Sequence, residues 1–232
     1  MLSSRKNQKE GMMNTLIIFD INGTIIQRDS RTDIPYSKSA DELLNAYNAM
    51  KGIDTSARSD KDVFMEVLRN AGVVFEDRLW SKFLKIYEKN LELFKNTDIW
   101  RENAGSTDFI NRLYNKGYPL TLMTGELRIG ARFKLEKMGV WSLFPVGGFG
   151  EDALDRYSIA MKAVEKSRGY YARDFKEMVV IGDTVLDIKT ARKIGAKSVS
   201  ITTGSNRRNE LEEYSPDLII DDFYSLDIEM LF

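Results

Sequence analysis

Two short apolar runs, far apart in the chain, each end at an aspartate that is followed by turn-forming residues. Residues 16–19 lead directly to Asp20, and residues 178–181 lead through Gly182 to Asp183. Uninterrupted apolar runs of this length are typical of strands buried on both faces of a parallel sheet. Ligands of open α/β sheets bind outside the carboxyl ends of the strands. The two runs therefore predict a parallel sheet with two carboxylates at its ligand-binding edge.

Each of the two segments also has a purely local explanation. Asn22 and Gly23 suit a hairpin turn, and Thr184 with Asp187 suits a capping box at a helix start. Two strand-end carboxylates with the same surroundings nevertheless favour a bound cation. Hard cations such as Mg²⁺ take one or two carboxylates and rely on waters and substrate phosphate for the rest. The sequence contains no His and no Cys, which excludes a Zn²⁺ site with nitrogen or sulfur ligands.

Three segments, in this order and each at the end of an apolar strand, resemble motifs I, II and IV of the haloacid dehalogenase (HAD) superfamily. They are Asp20-x-Asn22-Gly23-Thr24, Leu122-Met123-Thr124-Gly125 and Gly182-Asp183-Thr184-x-x-Asp187. Each motif alone is short and weak, whereas three in order form a specific signal. The resemblance covers nearly the whole chain after the first dozen residues. It implies a Rossmann-like α/β core with an inserted helical cap domain.

The resemblance assigns a nucleophile and a set of metal ligands. In the superfamily the motif I aspartate attacks phosphorus and forms an aspartyl-phosphate, a known use of carboxylates in covalent catalysis. The resemblance implies that Asp20 has this role here. It also implies that Asp20, the backbone carbonyl of Asn22 and Asp183 hold Mg²⁺, and that Asp187 supports the metal or its water shell.

The resemblance further implies a set of phosphate-binding residues. Thr124, with Gly125 beside it, would donate a hydrogen bond to a transferred phosphoryl oxygen. The superfamily places a Lys or Arg near the start of the helix before the motif IV strand, where the cation offsets the charge of the carboxylates and the phosphate. Arg156 fits this position better than Lys162, which lies nearly two turns further along the predicted helix. A solvated arginine on the helix surface is the alternative for Arg156.

Asn22 departs from the pattern of the hydrolytic phosphatases, which usually carry a second aspartate at this position as general acid and base. An amide donates a hydrogen bond but does not shuttle a proton at neutral pH, and general acid–base catalysis typically contributes about 10² to 10⁴ in rate. Three explanations stand. Either the enzyme is slow and its phosphoenzyme persists, or the substrate has a good leaving group or supplies its own acid or base, or Asn22 is an engineered replacement. Relatives with Tyr or Ala at this position cleave carbon–halogen or carbon–phosphorus bonds, and Asn matches neither.

A long insert separates the first two motifs. Between Thr24 and Thr124 lie 99 residues, where a simple βαβ unit needs only about 30 in total. The segment is too long for a structureless loop and its pattern predicts helices over residues 39–51, 60–70 and 77–96. We expect a helical cap over residues 31–97 and a core over 13–30 and 98–232. The aromatic side chains of the last helix are predicted to form the core of the insert, and Arg28, Arg31 and Tyr36 to lie in a solvated linker.

The rest of the chain alternates predicted strands and helices. Strands are expected at residues 118–123, 146–149, 178–181, 197–201 and 218–220. Helices are expected at 105–115, 126–138, 156–167 and 185–194. Alternation of this kind implies a mostly parallel sheet with right-handed crossovers.

Composition restricts the partners. There are 34 Lys and Arg against 35 Asp and Glu, a net charge of −1, which argues against broad affinity for nucleic acid or anionic membranes. Residues 1–12 contain no apolar signal region and are expected to form a solvated tail. No run of about 18 apolar residues predicts a membrane span. These features favour a cytoplasmic location, and they leave the oligomeric state open.

The sequence as a whole predicts a Mg²⁺-dependent enzyme that hydrolyses a small phosphorylated metabolite through Asp20. Two alternatives remain open. One is a phosphotransferase, which would also need an acid and base at Asn22. The other is a catalytically weakened protein that senses a phosphate ligand or serves as an interaction module, which Asn22 favours and the retained Asp20, Thr124 and Asp183 oppose.

Overall fold

A six-stranded parallel sheet forms the centre of the molecule. The computed structural model describes residues 14–56 and 58–232. The sheet order is β3-β2-β1-β4-β5-β6, and the predicted α/β class is confirmed. The predicted tail, residues 1–12, lies outside the described residues. The strands are β1 (Thr15–Phe19), β2 (Leu120–Met123), β3 (Gly147–Gly148), β4 (Glu177–Gly182), β5 (Lys197–Ile201) and β6 (Leu218–Ile220).

Helices connect and cover the strands. None of the helices in the described ranges is long and apolar enough to span a bilayer. Those designated α1 to α3 follow β1 in the chain and precede α4, so they form the insert between the first two strands. The α-helices are α1 (Ile34–Leu44), α2 (Asp60–Asn70), α3 (Asp77–Phe94), α4 (Ser106–Lys116), α5 (Arg128–Lys137), α6 (Arg156–Tyr171), α7 (Val185–Ile194) and α8 (Arg208–Glu212).

The first helix of the insert lies earlier in the chain than predicted. It was expected over residues 39–51 and is observed over Ile34–Leu44. Pro35 lies in its first turn, where the fixed φ of proline suits a helix start. Asn45 ends it in the left-handed conformation, with φ 48° and ψ 45°. The prediction that this helix extends to residue 51 was therefore wrong, whereas the bounds of α2 agree with the prediction of a helix over residues 60–70.

The continuous apolar character of β1 follows from its position in the sheet. Ile17 and Phe19 belong to a large apolar cluster on one face, while Leu16 and Ile18 pack on the other face with Ile159 of α6. Because successive side chains of a strand point to opposite faces, burial of both faces requires apolar residues throughout. The central strand thus provides a rigid support for the residues that follow it.

The register of the strands brings the ends of three of them to one edge. Phe19 of β1 pairs with Ile181 of β4 on one side and Leu122 of β2 on the other. The residues that follow these positions therefore emerge side by side. This places Asp20, Thr124 and Asp183 at the same edge of the sheet.

The insert contacts this edge through the start of α2. The backbone N–H of Asp60 donates to the carbonyl of Gly125 at 2.7 Å, and the N–H of Leu127 donates to the Asp60 carboxylate at 2.8 Å. A Cβ atom on Gly125 would lie 2.1 Å from the carbonyl oxygen of Arg58. Glycine is therefore required at position 125 for the insert to approach the loop after β2.

Candidate active site

Asp20 lies buried at the end of the central strand. Its backbone N–H donates to the carbonyl of Ile181 at 3.0 Å, which continues the ladder between β1 and β4. Its carboxylate lies 2.8 Å from Nη2 of Arg156. Burial raises the pKa of Asp20, and the repulsion from Asp187 adds to this, while Arg156 opposes it. The carboxylate is thus held in place by an arginine at the mouth of the sheet.

Arg156 is the first residue of α6, and its side chain turns into the site. Asp155 caps the helix by accepting from the N–H of Ser158 at 3.0 Å. The buried Arg156 guanidinium bridges Asp20 and Asp187, with Nε 2.9 Å and Nη2 2.5 Å from the Asp187 carboxylate. The alternative of a solvated helix-surface arginine is therefore wrong. Lys162, the rejected candidate, instead pairs with Glu165 at 2.8 Å on the surface.

Asp183 is enclosed by backbone and a hydroxyl group. Its carboxylate accepts the N–H of Ser205 at 2.6 Å and the hydroxyl of Thr24 at 3.2 Å. Burial, together with the repulsion from Asp20 and Asp187, raises the pKa of Asp183 to about 7. Gly23, with φ +87°, and Gly204 leave room for this carboxylate, since a Cβ on Gly204 would lie 1.9 Å from its Oδ2 atom.

The donor set fits a hard divalent cation. Asp20, Asp183 and Asp187 each offer a carboxylate oxygen, and these three atoms lie within 4.8 Å of one another. A single arginine, Arg156, is bonded to the group, so two positive charges would complement the remaining carboxylate charge. Oxygen ligands of this kind suit Mg²⁺. Both oxygens of Asp187 already accept hydrogen bonds from Arg156 and Thr184, so Asp187 suits a supporting role.

Replacing Gly204 by alanine is expected to displace Asp183 and to destabilise the fold. The new Cβ would meet the Asp183 carboxylate well inside van der Waals contact, and overpacking of this kind typically costs about 1–3 kcal/mol. Gly169→Ala in α6, where a Cβ meets nothing within 4 Å, is the matched control and should not lower the stability. Urea unfolding measures both. An unchanged midpoint for Gly204→Ala would contradict the tight enclosure of Asp183.

Thr124 and Gly125 form the turn that follows β2. The Thr124 N–H donates to the carbonyl of Gly148 at 3.1 Å, and the Thr124 hydroxyl oxygen accepts the N–H of Glu126 at 3.2 Å. The hydroxyl hydrogen is therefore available to another acceptor. Both Thr124 and Gly125 line the same cavity as Asp20 and Arg156. The turn can thus present a hydroxyl donor next to the strand-end carboxylate.

The side chain of Asn22 is held by a buried ion pair that sequence analysis missed. Nζ of Lys134 donates to Oδ1 of Asn22 at 3.0 Å, and Nδ2 of Asn22 donates to Glu126 at 3.3 Å. Lys134 and Glu126 contact each other at 2.6 Å, with side chains 2% and 4% exposed. Burial raises the pKa of Glu126, although Lys134 opposes it. These contacts fix the amide in one orientation, with its oxygen towards the ammonium group.

A cavity of about 420 Å³ lies between the sheet edge and the insert. Six of the predicted site residues line its floor, namely Asp20, Asn22, Thr124, Gly125, Arg156 and Asp183. Tyr36, expected in a solvated linker, is instead buried in its wall, and its hydroxyl donates to the carbonyl of Asp60 at 2.6 Å. Arg28 also lines the cavity, whereas Arg31 pairs with Asp29 at 2.6 Å. The side chains from the insert that define the roof of this cavity are Thr32, Tyr36, Asp60 and Tyr87.

Comparison with known proteins agrees with this geometry. A family profile described as HAD-hydrolase-like matches residues 145–226. A phosphoglycolate phosphatase of Mesorhizobium japonicum is 24% identical over 226 residues, covering 94% of this chain and 96% of the relative. A protein of Dickeya dadantii described as a probable phosphatase, IndB, is 23% identical over 223 residues, covering 91% of each.

Solved structures share the fold over 90% to 94% of this chain. A HAD hydrolase of family IA, variant 3, from Entamoeba histolytica aligns with a TM-score of 0.64 and 18% identity, covering 94% of this chain and 97% of that one. A hydrolase from Pseudomonas syringae gives a TM-score of 0.63 and 16% identity, covering 90% and 94%. Fold and site together define an α/β hydrolase with a strand-end carboxylate centre. The profile match, the full-length relatives and the shared fold support a phosphatase-like hydrolase similar to those of the HAD superfamily.

Proposed function

We propose that the protein hydrolyses a small phosphorylated metabolite, with Mg²⁺, through an aspartyl-phosphate on Asp20. The observation that carries the proposal is the position of the Asp20 carboxylate, next to Arg156 and in one cavity with Thr124 and Asp183. No other carboxylate of the described site combines a strand-end position with a bound arginine and a neighbouring hydroxyl donor.

The residues of the chain account for both halves of the reaction. A carboxylate oxygen of Asp20 attacks phosphorus, the bond from phosphorus to the leaving alcohol oxygen breaks, and the alcohol takes a proton from solvent. Water then attacks the phosphorus of the aspartyl-phosphate, which releases inorganic phosphate and restores Asp20. Arg156 and Thr124 hold the phosphoryl oxygens in line with the nucleophile.

The cation completes the charge balance of this site. We propose that Asp20, the backbone carbonyl of Asn22 and Asp183 hold Mg²⁺, with Asp187 in support. When bound, the metal supplies positive charge next to the phosphoryl oxygens, which lowers the barrier to attack by an anion. Asp20 itself needs to be ionised to attack, and a neighbouring cation favours its charged form.

A second candidate function rests on Asn22. Because both ends of its amide are occupied by Lys134 and Glu126, the residue that usually exchanges a proton in hydrolytic relatives is replaced by a fixed, uncharged group. The alternative is a protein that binds a phosphorylated ligand without turning it over. The same fixed amide disfavours phosphotransfer, since that reaction also needs a proton acceptor here.

Hydrolysis of p-nitrophenyl phosphate tests the proposed function. This substrate has a good leaving group and does not need a general acid at position 22. We expect turnover with Mg²⁺ that stops in EDTA and returns when Mg²⁺ is added back. Rapid acid quenching during turnover should recover phosphate bound covalently to the protein. Binding of phosphate esters without turnover would instead support the second candidate.

Stabilisation by Mg²⁺ is expected to increase with pH. The pKa of Asp183 is raised from 3.8 to about 7 in the fold, so its contribution to stability is present below pH 4 and is lost as the pH rises towards and through 7. A bound cation replaces the missing protons, and binding therefore releases protons. At a Mg²⁺ concentration 100 times the Kd the gain is about 2.7 kcal/mol, which corresponds to several degrees in Tm.

Thermal unfolding at pH 5 and pH 8, with and without Mg²⁺, measures this effect. The shift in Tm should be larger at pH 8 than at pH 5. Asp183→Asn removes a ligand with little change in size, so its shift should be small at both pH values. An equal shift for the unmodified chain at both pH values would show that Asp183 does not exchange a proton for the metal.

A further inference from the structure

The roof of the cavity contains hydroxyl groups that have no partner. Oγ1 of Thr32 is buried and has no hydrogen-bond partner within the described residues, and Thr32 is 7% exposed. Tyr87 is 3% exposed, and its hydroxyl makes no hydrogen bond in the same part of the chain. Both residues line the cavity. Buried polar atoms are nearly always bonded in folded proteins, so a ligand is the natural partner for Oγ1 of Thr32. The same ligand can bond the Tyr87 hydroxyl, because Tyr87 lines the same cavity.

The same roof carries two carboxyl groups, those of Asp60 and Asp33, without a bound cation. The carboxylate of Asp60 accepts the backbone N–H of Leu127, and no arginine or lysine of the described residues forms an ion pair with it. Asp33 lines the cavity in the same unpaired state. Burial and the neighbouring Glu126 raise the pKa of Asp60 well above its usual range. The carboxyl oxygens of Asp60 and Asp33 therefore have no arginine or lysine as a hydrogen-bond donor within the described residues.

Besides Arg156 on the floor, Arg58 and Arg28 line the cavity, and neither forms an ion pair with Asp60 or Asp33. Arg58 is bound by Asp62 at 2.7 Å and by Glu66 at 2.5 Å. Arg28 donates to the hydroxyl of Ser205, the residue whose N–H binds Asp183. It therefore lies on the metal-ligand side of the cavity. A negatively charged group under the roof would meet the carboxyls of Asp60 and Asp33, whereas Arg28, which forms no ion pair within the described residues, lies on the metal-ligand side.

We propose that the roof binds the leaving group of a polyol phosphate, a phosphomonoester whose alcohol carries further hydroxyl groups and no negative charge. The inference rests on the proposed function, because the phosphoryl group is taken to lie at Asp20 on the floor. Hydroxyl groups of the alcohol donate hydrogen bonds to the carboxyl group of Asp60 and form hydrogen bonds with the hydroxyl groups of Thr32 and Tyr87. The volume of about 420 Å³ holds a phosphoryl group and a short polyol.

This substrate class differs from that in the names of several relatives. Phosphoglycolate carries a carboxylate on its leaving group, which would face Asp60 and Asp33 without a cation. Desolvating an unpaired charge is strongly unfavourable. The roof of this chain therefore selects against such a substrate.

Competition between two phosphate esters of similar size tests the inference. With Mg²⁺ and the full chain, kcat/KM for glycerol phosphate is expected to exceed that for phosphoglycolate by about 10-fold or more, the effect of burying one polar group unpaired. Thr32→Val and Tyr87→Phe should each lower the ratio of kcat/KM for glycerol phosphate to that for p-nitrophenyl phosphate by about 3- to 10-fold, the loss of one hydrogen bond. Tyr47→Phe, a change at a surface tyrosine that is 96% exposed, is the matched control.

Calorimetric binding of the same two esters separates this inference from the proposed function. Tighter binding of glycerol phosphate without any turnover would reject the phosphatase and keep the assignment of the roof. Turnover with equal or better use of phosphoglycolate, unchanged in Thr32→Val and Tyr87→Phe, would overturn the assignment. The assignment would also be overturned if the unmodified chain preferred phosphoglycolate and Arg28→Ala selectively lost its hydrolysis. Arg28 would then be the residue that binds the leaving group.

Discussion

Asp20→Asn is expected to abolish hydrolysis while leaving the fold intact. Removal of a catalytic nucleophile typically lowers kcat by a factor on the order of 10⁴ to 10⁶. The substitution keeps the size of the side chain and removes a buried charge whose pKa is raised by burial. Arg156 keeps its contact with Asp187 at 2.5 Å. Steady-state kinetics with p-nitrophenyl phosphate measure the loss of activity. Thermal unfolding of the unmodified chain and of Asp20→Asn shows whether the fold is intact.

The matched control is Asp174→Asn, because this aspartate is exposed and pairs only with Arg168 on the surface. It should retain the activity of the unmodified chain. Phosphate trapped by acid quenching should disappear in Asp20→Asn and persist in the control. Activity in Asp20→Asn above about a tenth of the unmodified value would exclude Asp20 as the nucleophile.

Restoring a proton-transfer group at position 22 is expected to require two substitutions. Asn22→Asp alone places a carboxylate oxygen where Nδ2 now donates to Glu126 at 3.3 Å. Two carboxylates at this distance share one proton, which raises the pKa of the pair and destabilises the fold. Glu126→Gln removes the repulsion and provides an amide donor in its place. Lys134 can still donate to the new aspartate.

We therefore expect Asn22→Asp with Glu126→Gln to raise the hydrolysis of alkyl phosphate esters by about 10-fold or more, within the range of general acid–base catalysis. The lifetime of the phosphoenzyme should shorten, because a base can now activate water. Asn22→Asp alone should gain less, and Glu126→Gln alone should gain nothing. If the double variant shows neither faster turnover nor a shorter lifetime, Asn22 is adapted to the native substrate and does not mark a weakened phosphatase.

The floor of the site was predictable because local sequence determines it. Asp20 and Asp183 each follow an apolar strand, and parallel pairing in register through Phe19 and Ile181 brings them together. Arg156 was predictable because the capping residue Asp155 fixes where its helix begins. In each case a short segment specifies both the element and the position of the side chain within it.

The roof and the surroundings of Asn22 were not predictable in the same way. Lys134 lies within α5, where a lysine is usually solvated. In the structure α5 packs so that the ammonium group of Lys134 contacts Glu126 and Asn22. Thr32 and Tyr36 carry no local pattern that separates a cavity wall from a linker. A helix start at Pro35 was the available signal, and it would have turned Tyr36 towards the insert core. Contacts between distant segments decide all of these positions.

The hydrogen bond from the Asp60 N–H to the Gly125 carbonyl has a thermodynamic consequence. Asp60 belongs to the roof and Gly125 to the turn that carries Thr124, so this hydrogen bond links the occupancy of the two halves of the cavity. An alcohol that stabilises the docked position of α2 must then increase the affinity of the floor for phosphate, and phosphate must increase the affinity for the alcohol by the same factor.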